Sequence, residues 1–293
     1  MDSLLFKRLR EGRIWKRILR ERMTEPLSVN AYAAFAALFG SFRQKVACDL
    51  VIRQHHAFGL LTAADWARES GVNRISAMEF GVANGAGLLN MCSVAERVTK
   101  ETGVEFEIYG FDCGTGMPKP RDYRDHPEYY SWGDFPMQSP DSLRAKLPPS
   151  ARLILGDISE SIQGCLANCA PIGFISIDVD YYFSTVEALK VLEGPANRYL
   201  PSIVMYLDDI GYDRHNPFCG EWLAVREFTE THASRKIARF NMLRQQRLFQ
   251  RAMWVERMFI AHILDHDWRV RSLNEYREIV LDNPYSGITN RSE

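Results

Sequence analysis

The 293-residue sequence has little that would place it in a membrane or outside the cell. No apolar run approaches the ~20 residues that a membrane-spanning helix needs, and no stretch has the pattern of a signal peptide. The six cysteines show no Cys-x-x-Cys spacing, and no histidine stands near Cys165 and Cys169 to complete a zinc site. Internal repeats and low-complexity segments are also absent. These absences predict one main domain of a reduced, cytoplasmic protein.

Charge is nearly balanced over the chain, at -1, but it is unevenly distributed. Residues 1–25 carry eight basic and four acidic side chains, so this segment is +4 and the remainder is -5. Leu5, Leu9, Ile14 and Ile18 give the same segment an apolar stripe at roughly helical spacing. We therefore expect residues 1–27 to form a basic amphipathic arm. Its expected role is a homo-oligomer contact, with docking on its own domain or on an anionic membrane surface as alternatives, and no nucleic-acid partner is expected.

The rest of the chain divides into a helical segment and an alternating one. Residues 28–72 predict a helical cap segment, because helix-forming residues fill this stretch with only isolated glycines. In the main domain, at 73–293, five short apolar runs predict strands at 74–80, 106–111, 151–155, 172–177 and 203–207. Helical patterns separate these runs. The alternation predicts right-handed crossovers and a parallel sheet buried between helix layers, an α/β fold.

Acidic or glycine-rich residues follow each predicted strand. A glycine loop follows the first strand, and the other four are followed by Asp112, Gly156-Asp157, Asp178-Val179-Asp180 and Asp208-Asp209. Ligands of open α/β sheets bind beyond the carboxyl ends of the strands. The five strand ends therefore predict one shared cleft, in preference to a set of unrelated helix caps.

The glycine loop reads MEFGVANGAGLL over residues 78–89. Its spacing is Gly-x-x-x-Gly-x-Gly, and it differs from the Gly-x-Gly-x-x-Gly of dinucleotide-binding loops. The spacing resembles that of class I S-adenosylmethionine-dependent methyltransferases, in which the loop passes under the methionine part of the cofactor. The resemblance implies cofactor binding by the residues Glu79, Gly81, Asn84, Gly85, Asp112, Gly156, Asp157 and Asp178. Within this set Asp112 would accept hydrogen bonds from the ribose hydroxyls, and Gly156-Asp157 would lie at the adenine amino group.

Four further stretches narrow the resemblance. GFDCGTGMP (110–118), LGDI (155–158), IDVDYYFSTVEAL (177–189) and LDDIGYD (207–213) resemble the macrocin O-methyltransferase family over roughly residues 75–230. That family consists of metal-dependent enzymes that methylate sugar hydroxyls on natural products. The resemblance implies a Rossmann-like class I methyltransferase fold, with a mostly parallel seven-stranded sheet between helix layers and an N-terminal helical extension. Closing strands are then expected at 236–243 and 257–264, the last one antiparallel beside the fifth, with a helix at 244–256 between them.

The same resemblance assigns roles to the carboxylates. Asp178, Asp208 and Asp209 would hold Mg²⁺ or Mn²⁺, and Asp180 would be the general base, with His215 as the rival base. Independent physics supports a cation, because carboxylates held together repel and raise one another's pKa values, and oxygen-only ligands favour hard divalent ions. The acceptor should then carry two adjacent hydroxyls.

The segment at 119–138, KPRDYRDHPEYYSWGDFPMQ, is long and rich in aromatic residues. We expect a lid over the cofactor and acceptor, with Tyr129, Tyr130 and Trp132 stacking on an acceptor ring; a structural loop or an oligomer contact is the alternative. Two other functions remain open for the whole chain. One is a catalytically inactive methyltransferase-like scaffold, and the other is a glycosyltransferase that uses Asp178-Val179-Asp180 to hold a sugar nucleotide.

Overall fold

A computed structural model describes residues 21–211 and 216–269 of the chain. Between residue 27 and the first strand lie the helices α1 (Leu27–Phe39), α2 (Phe42–Ala47) and α3 (Gln54–Glu69). A capping box starts α2, because the Ser41 side chain accepts the Gln44 N–H while the Gln44 side chain accepts the Ser41 N–H. All but the first residue of these helices lie in the segment at 28–72, for which the sequence predicts helical character.

The described residues form one seven-stranded sheet in the order β3-β2-β1-β4-β5-β7-β6. Its strands are β1 (Arg74–Phe80), β2 (Glu105–Asp112), β3 (Ala151–Leu155), β4 (Ile172–Ile177), β5 (Tyr199–Leu207), β6 (Arg235–Arg239) and β7 (Met258–Ile263). Strands β1 to β5 are parallel, and β7 runs antiparallel between β5 and β6. The remaining helices are α4 (Ala86–Thr102), α5 (Pro140–Arg144), α6 (Ile158–Asn168), α7 (Tyr182–Leu189), α8 (Gly220–Thr231) and α9 (Leu243–Gln246). This order confirms the predicted class I methyltransferase fold.

The core lies on both faces of the sheet. Side chains of successive strand residues point to opposite faces, so Ala77 packs with the helices α3 and α4 on one side. Met78 packs with α6, α7 and α8 on the other. Burial on both faces explains why the parallel strands read as continuous apolar runs. Helix α3 packs directly against β1, β4 and β5, so its residues share the core of the main domain.

The prediction of a helix at 244–256 is wrong. Only α9 and a 3₁₀ turn at Met253–Arg257 are helical there, and β6 ends at Arg239. Tertiary contacts override the local helical pattern. Met242 is left-handed (φ 60°), and Arg247 leaves the helix to bond to the buried Asp49 carboxylate at 2.7 Å.

Residues 21–25, the described end of the N-terminal arm, pack against the same chain. Arg22 donates to the Cys48 and Asp49 carbonyl oxygens at 2.8 and 2.9 Å, and the Glu25 carboxylate accepts the Gln250 N–H. Residues 1–20, which carry most of the predicted amphipathic stripe, lie outside the described residues. Among the described helices, none has both the length and the apolar character that a membrane crossing requires.

Candidate functional site

A cavity of about 720 Å³ opens at the carboxyl ends of the parallel strands. Most of the predicted site residues line it: Glu79, Gly81, Asn84, Asp112, Tyr130, Trp132, Gly156, Asp157, Asp178, Asp180, Asp208 and Asp209. Gly85 and Tyr129 are not part of its lining, and His215 lies outside the described residues. The shared cleft predicted from the strand ends is therefore present.

The glycine loop is built around neighbouring protein atoms. A Cβ on Gly81 (φ 86°) would stand 1.8 Å from the Asp178 carbonyl oxygen, and a Cβ on Gly87 would stand 1.9 Å from Glu79 Oε1. Both distances are far below any van der Waals contact. The loop consequently lies directly against the end of β4 and against the Glu79 carboxyl group. The packing of the protein itself, without any ligand, therefore requires glycine at these two positions.

Asp112, at the end of β2, holds the start of that loop. Its Oδ2 accepts the N–H groups of Val82 and Ala83 at 2.8 Å each, and its Oδ1 accepts the Gly114 N–H at 2.6 Å. A carboxylate offers about four lone-pair positions, so three are used by the protein itself. About one remains at Oδ1, facing the cavity, and it can accept one further donor without rearrangement.

The predicted adenine end contains a helix cap. Asp157 accepts the Ser159 N–H at 2.8 Å at the start of α6, and its hydrogen bonds with Ser159 lower the pKa of the Asp157 carboxyl below its usual value. On the opposite wall, the Asn84 side-chain oxygen accepts the Gln138 N–H at 3.0 Å. Asn84 thereby ties the glycine loop to the end of the predicted lid.

Glu79 is buried at the end of β1, with 4% of its surface exposed. Burial raises the pKa of Glu79 to about 8; the nearby charge of Arg53 opposes the rise, and Asp178 and Asp112 add to it. His56 Nε2, also buried, lies 3.9 Å from Glu79 Oε1, and burial lowers the pKa of His56 to about 3. Burial therefore favours the neutral form of both side chains.

Three carboxylates converge beyond β4 and β5. Oxygen atoms of Asp178, Asp180 and Asp209 all lie within 4.8 Å of one another. Asp180 has a left-handed backbone (φ 59°), so the chain turns after β4 and brings Asp180 to the same side as Asp178. Burial raises the pKa of Asp178 to about 7, with Asp208 and Asp180 adding to the rise, and burial also raises the pKa of Asp209. A divalent cation is the group that such a set of oxygen ligands would accommodate.

Asp208 has a different environment. Arg257 donates to its Oδ1 at 2.7 Å, and the Tyr206 hydroxyl donates to the same oxygen. Arg257 lies at the end of a 3₁₀ turn just before β7, whose antiparallel register places Met258 opposite Tyr206. The Arg257 guanidinium therefore pairs with Asp208, and Arg257 and Tyr206 together fix the orientation of its Oδ1.

Glu221 completes this acidic region, and the sequence reasoning missed it. It is buried in the first turn of α8, and its Oε2 accepts the Asp209 N–H at 3.0 Å. Burial raises the pKa of Glu221 well above its usual value, and Asp178 and Asp208 add to the rise. No motif marked this residue, because a glutamate in the first turn of a helix is common for reasons of helix stability alone.

The segment at 119–138 contacts the cavity through two of its three predicted aromatic residues. The Tyr130 hydroxyl donates to Asp209 Oδ1 at 3.1 Å, and Trp132 lies at the rim with 76% of its surface exposed. Tyr129 packs instead toward the buried His126 ring, with 5.5 Å between the ring centroids. Main-chain bonds between Met117 and Gly133–Asp134 fold the segment on itself, so it is an ordered flap over one side of the cavity.

Comparisons with known proteins give likenesses to solved methyltransferase structures. No protein-family model matches the chain, and no curated protein matches it. CalS11, a calicheamicin methyltransferase, is 22% identical, with 60% of this chain and 72% of that chain covered and a TM-score of 0.45. The O-methyltransferase NovP is 14% identical, with coverage of 72% and 79% and a TM-score of 0.48. MycE, from the mycinamycin biosynthetic pathway, is 12% identical, with coverage of 69% and 48% and a TM-score of 0.35. At such identities the likeness is one of fold.

Proposed function

We propose that this protein is a metal-dependent O-methyltransferase that transfers a methyl group from S-adenosylmethionine to a hydroxyl of a sugar, a glycosylated natural product or a related small molecule. One observation carries the proposal: a single cavity brings the glycine loop of β1 together with the carboxylate cluster of Asp178, Asp180 and Asp209. A sugar-nucleotide site would need the second feature alone. Methyl transfer to a metal-held hydroxyl uses both.

The residues at one end of the cavity suit the cofactor. S-adenosylmethionine, when bound, supplies the electrophilic methyl group. The glycine loop would lie under its methionine part, and the free lone pair of Asp112 Oδ1 would accept one ribose hydroxyl. Because Oδ2 already accepts two N–H groups, we propose that Asp112 accepts one hydrogen bond from the ribose in place of two. Gly156 and Asp157, the N-cap residue of α6, would border the adenine.

The carboxylates at the other end suit Mg²⁺ or Mn²⁺. Asp178 and Asp209 would hold the ion. The donor set fits because burial and neighbouring carboxyl groups raise the pKa of both residues, and a bound cation would oppose that rise. Asp208 would be the third ligand through Oδ2, since Arg257 and Tyr206 orient its other oxygen. The ion, when bound, lowers the pKa of an acceptor hydroxyl and orients it.

Asp180 would take the proton from that hydroxyl. It lies within the same cluster, and its left-handed backbone brings its side chain to the same side as Asp178. Asparagine at this position would keep the side-chain shape and remove the base. Tyr130, bonded to Asp209 from the flap, and Trp132 would border the acceptor and limit the access of water.

Binding and transfer measured together test the proposal. The intact protein should bind S-adenosylhomocysteine in isothermal titration and should transfer tritium from methyl-labelled S-adenosylmethionine to a panel of vicinal-diol sugars and catechols when Mg²⁺ is present. Asp180→Asn should retain ligand and metal binding and lose transfer. Asp208→Asn should lose metal affinity. If Asp208→Asn retains metal affinity and Asp180→Asn loses it, then Asp180 is the metal ligand and Asp208 the base. Loss of transfer in His215→Gln but not in Asp180→Asn would make His215 the base.

The same measurements separate the alternatives. Cofactor binding without transfer to any acceptor of the panel would favour an inactive scaffold. Absence of S-adenosylhomocysteine binding, together with Mn²⁺-dependent binding of a nucleotide sugar, would favour a glycosyltransferase and overturn the proposal.

We also propose that the protein self-associates through α1 and the arm before it. Residues 26–42 contain no charged side chain, yet α1 buries only a narrow strip and exposes Leu38 and Phe39 by 75% and 74%. Exposed apolar patches of this kind mark interaction surfaces. A second copy is the partner that fits, because the +4 arm leading into α1 complements the -5 charge of the rest of the chain.

A further inference from the structure

Arg53 brings a positive charge to the part of the cavity wall where the carboxyl groups gather. It lies at the start of α3 and lines the cavity beside the glycine loop. Its charge acts on two neighbouring carboxyl groups, lowering the pKa of Glu79 and of Asp178 against the larger effect of their burial. Within residues 21–211 and 216–269, no carboxylate stands within the 4.0 Å ion-pair distance of its guanidinium. Arg257, by comparison, is fully engaged with Asp208.

The backbone of Arg53 is held in a strained conformation. Its φ and ψ are 52° and 69°, in the left-handed region that glycine adopts without strain and that a long side chain rarely adopts. Glycine would suit this position better for the fold alone. The Arg53 side chain therefore occupies this position at a cost in backbone strain.

The other basic residues of the wall lie elsewhere. Arg121 stacks over the Phe183 ring at 4.6 Å, and its charge reaches Asp157, at the end assigned to the adenine. Lys119 is exposed and lies in the flap segment. Arg53 is the basic wall residue whose charge reaches Glu79, directly under the loop assigned to the methionine part of the cofactor.

We propose that the Arg53 guanidinium binds the α-carboxylate of the methionine part of S-adenosylmethionine. This inference rests on the proposed function, since it assigns one end of the same ligand. An amino-acid α-carboxylate entering this part of the cavity otherwise meets the side chains of Glu79 and Asp178, neither of which offers it a positive charge. A guanidinium presents two parallel N–H donors that match a carboxylate, so it supplies both the charge and the orientation. The same contact would fix the distance between the anchored carboxylate and the sulfonium methyl group.

The test compares two ligands that differ only in this carboxylate. S-adenosylhomocysteine and its decarboxylated analogue would be titrated into the intact wild-type protein and into Arg53→Met, which keeps the length of the apolar stem. Loss of a charge-assisted pair typically costs between tenfold and about a hundredfold in affinity. We expect that loss for S-adenosylhomocysteine in Arg53→Met and little change for the analogue, so that the variant no longer discriminates between them. Arg121→Met is the matched control and should retain the discrimination of the wild type.

A second variant guards against a purely structural explanation. Arg53→Gly removes both the side chain and the backbone strain, so it should raise Tm while weakening S-adenosylhomocysteine binding as much as Arg53→Met does. Equal weakening of both ligands, or unchanged affinity for both, would overturn the role of Arg53 in carboxylate binding. If the wild-type protein binds neither ligand, the proposed function itself fails, and this outcome is distinct because it needs no variant.

Discussion

Replacing the buried Glu79 by glutamine should change how the stability of the protein depends on pH. The folded-state pKa of Glu79 is about 8 against an ordinary value of 4.5. Between these values the folded protein holds a proton that the unfolded chain has released, so stability falls as pH rises through this window. Each pH unit costs about 1.4 kcal/mol, which gives a ceiling of roughly 5 kcal/mol by pH 8. We expect about 2 kcal/mol, because the interior responds to a buried charge with an effective dielectric constant near ~20.

Urea unfolding followed by tryptophan fluorescence, in EDTA at several pH values from 5 to about 8.5, measures this effect. Glu79→Gln keeps the shape of the protonated side chain and cannot ionise, so its stability relative to wild type should rise by about 2 kcal/mol across the range. Other buried carboxyl groups, such as Asp209 and Glu221, are present in both proteins and largely cancel in the difference. Glu96→Gln, at an exposed position of α4, is the matched control and should run parallel to wild type. A pH-independent difference for Glu79→Gln would show that Glu79 is already ionised in the folded protein.

Three further changes test other parts of the site. Asp112→Ala should weaken S-adenosylhomocysteine binding by about tenfold or more and lower the free energy of unfolding by roughly 1–3 kcal/mol, since three N–H donors lose their acceptor; unchanged affinity in titration calorimetry would remove Asp112 from the cofactor site. Excess EDTA should abolish methyl transfer and added Mg²⁺ should restore it, while Asp209→Asn should lose the response to Mg²⁺ and still bind S-adenosylhomocysteine; full activity in EDTA would contradict the metal role. Leu38→Lys combined with Phe39→Lys should lower the mass per particle in light scattering, whereas Leu264→Lys, also at an exposed apolar position, should not; an unchanged mass in the double variant would leave α1 without a role in assembly.

The sheet could be predicted from the sequence because its signals are local. Five apolar runs with acidic or glycine-rich ends define β1 to β5 within a few residues, and parallel strands must bring those ends to one edge. The helix expected at 244–256 failed for the opposite reason. There Arg247 and Trp254 are placed by contacts with Asp49, 198 and 205 positions away in the chain, and no local pattern carries that information.

In the site, too, residues marked by local sequence signals were predicted and residues placed by tertiary packing were not. The carboxylates that follow strands were found from their positions, whereas Arg53, Glu221 and Arg257 were missed. Each of these reaches the cavity region from a helix or turn that packs on the sheet, so its place depends on tertiary packing. Arg257 carried one usable signal: it is the first residue of the strand expected at 257–264 beside β5, and antiparallel pairing places the start of that strand next to the end of β5. The left-handed backbone of Asp180, which decides whether it joins Asp178, could not be read from the residue types.

A crystal structure of the protein with S-adenosylhomocysteine and Mn²⁺ tests the central claim most directly, because the anomalous signal of manganese locates the ion independently of the ligand. We expect the cofactor across Gly81–Gly87, with its ribose at Asp112, and an anomalous peak in contact with Asp178 and Asp209. Cofactor density elsewhere, or a cavity that holds the cofactor while no manganese binds at these carboxylates, would contradict it.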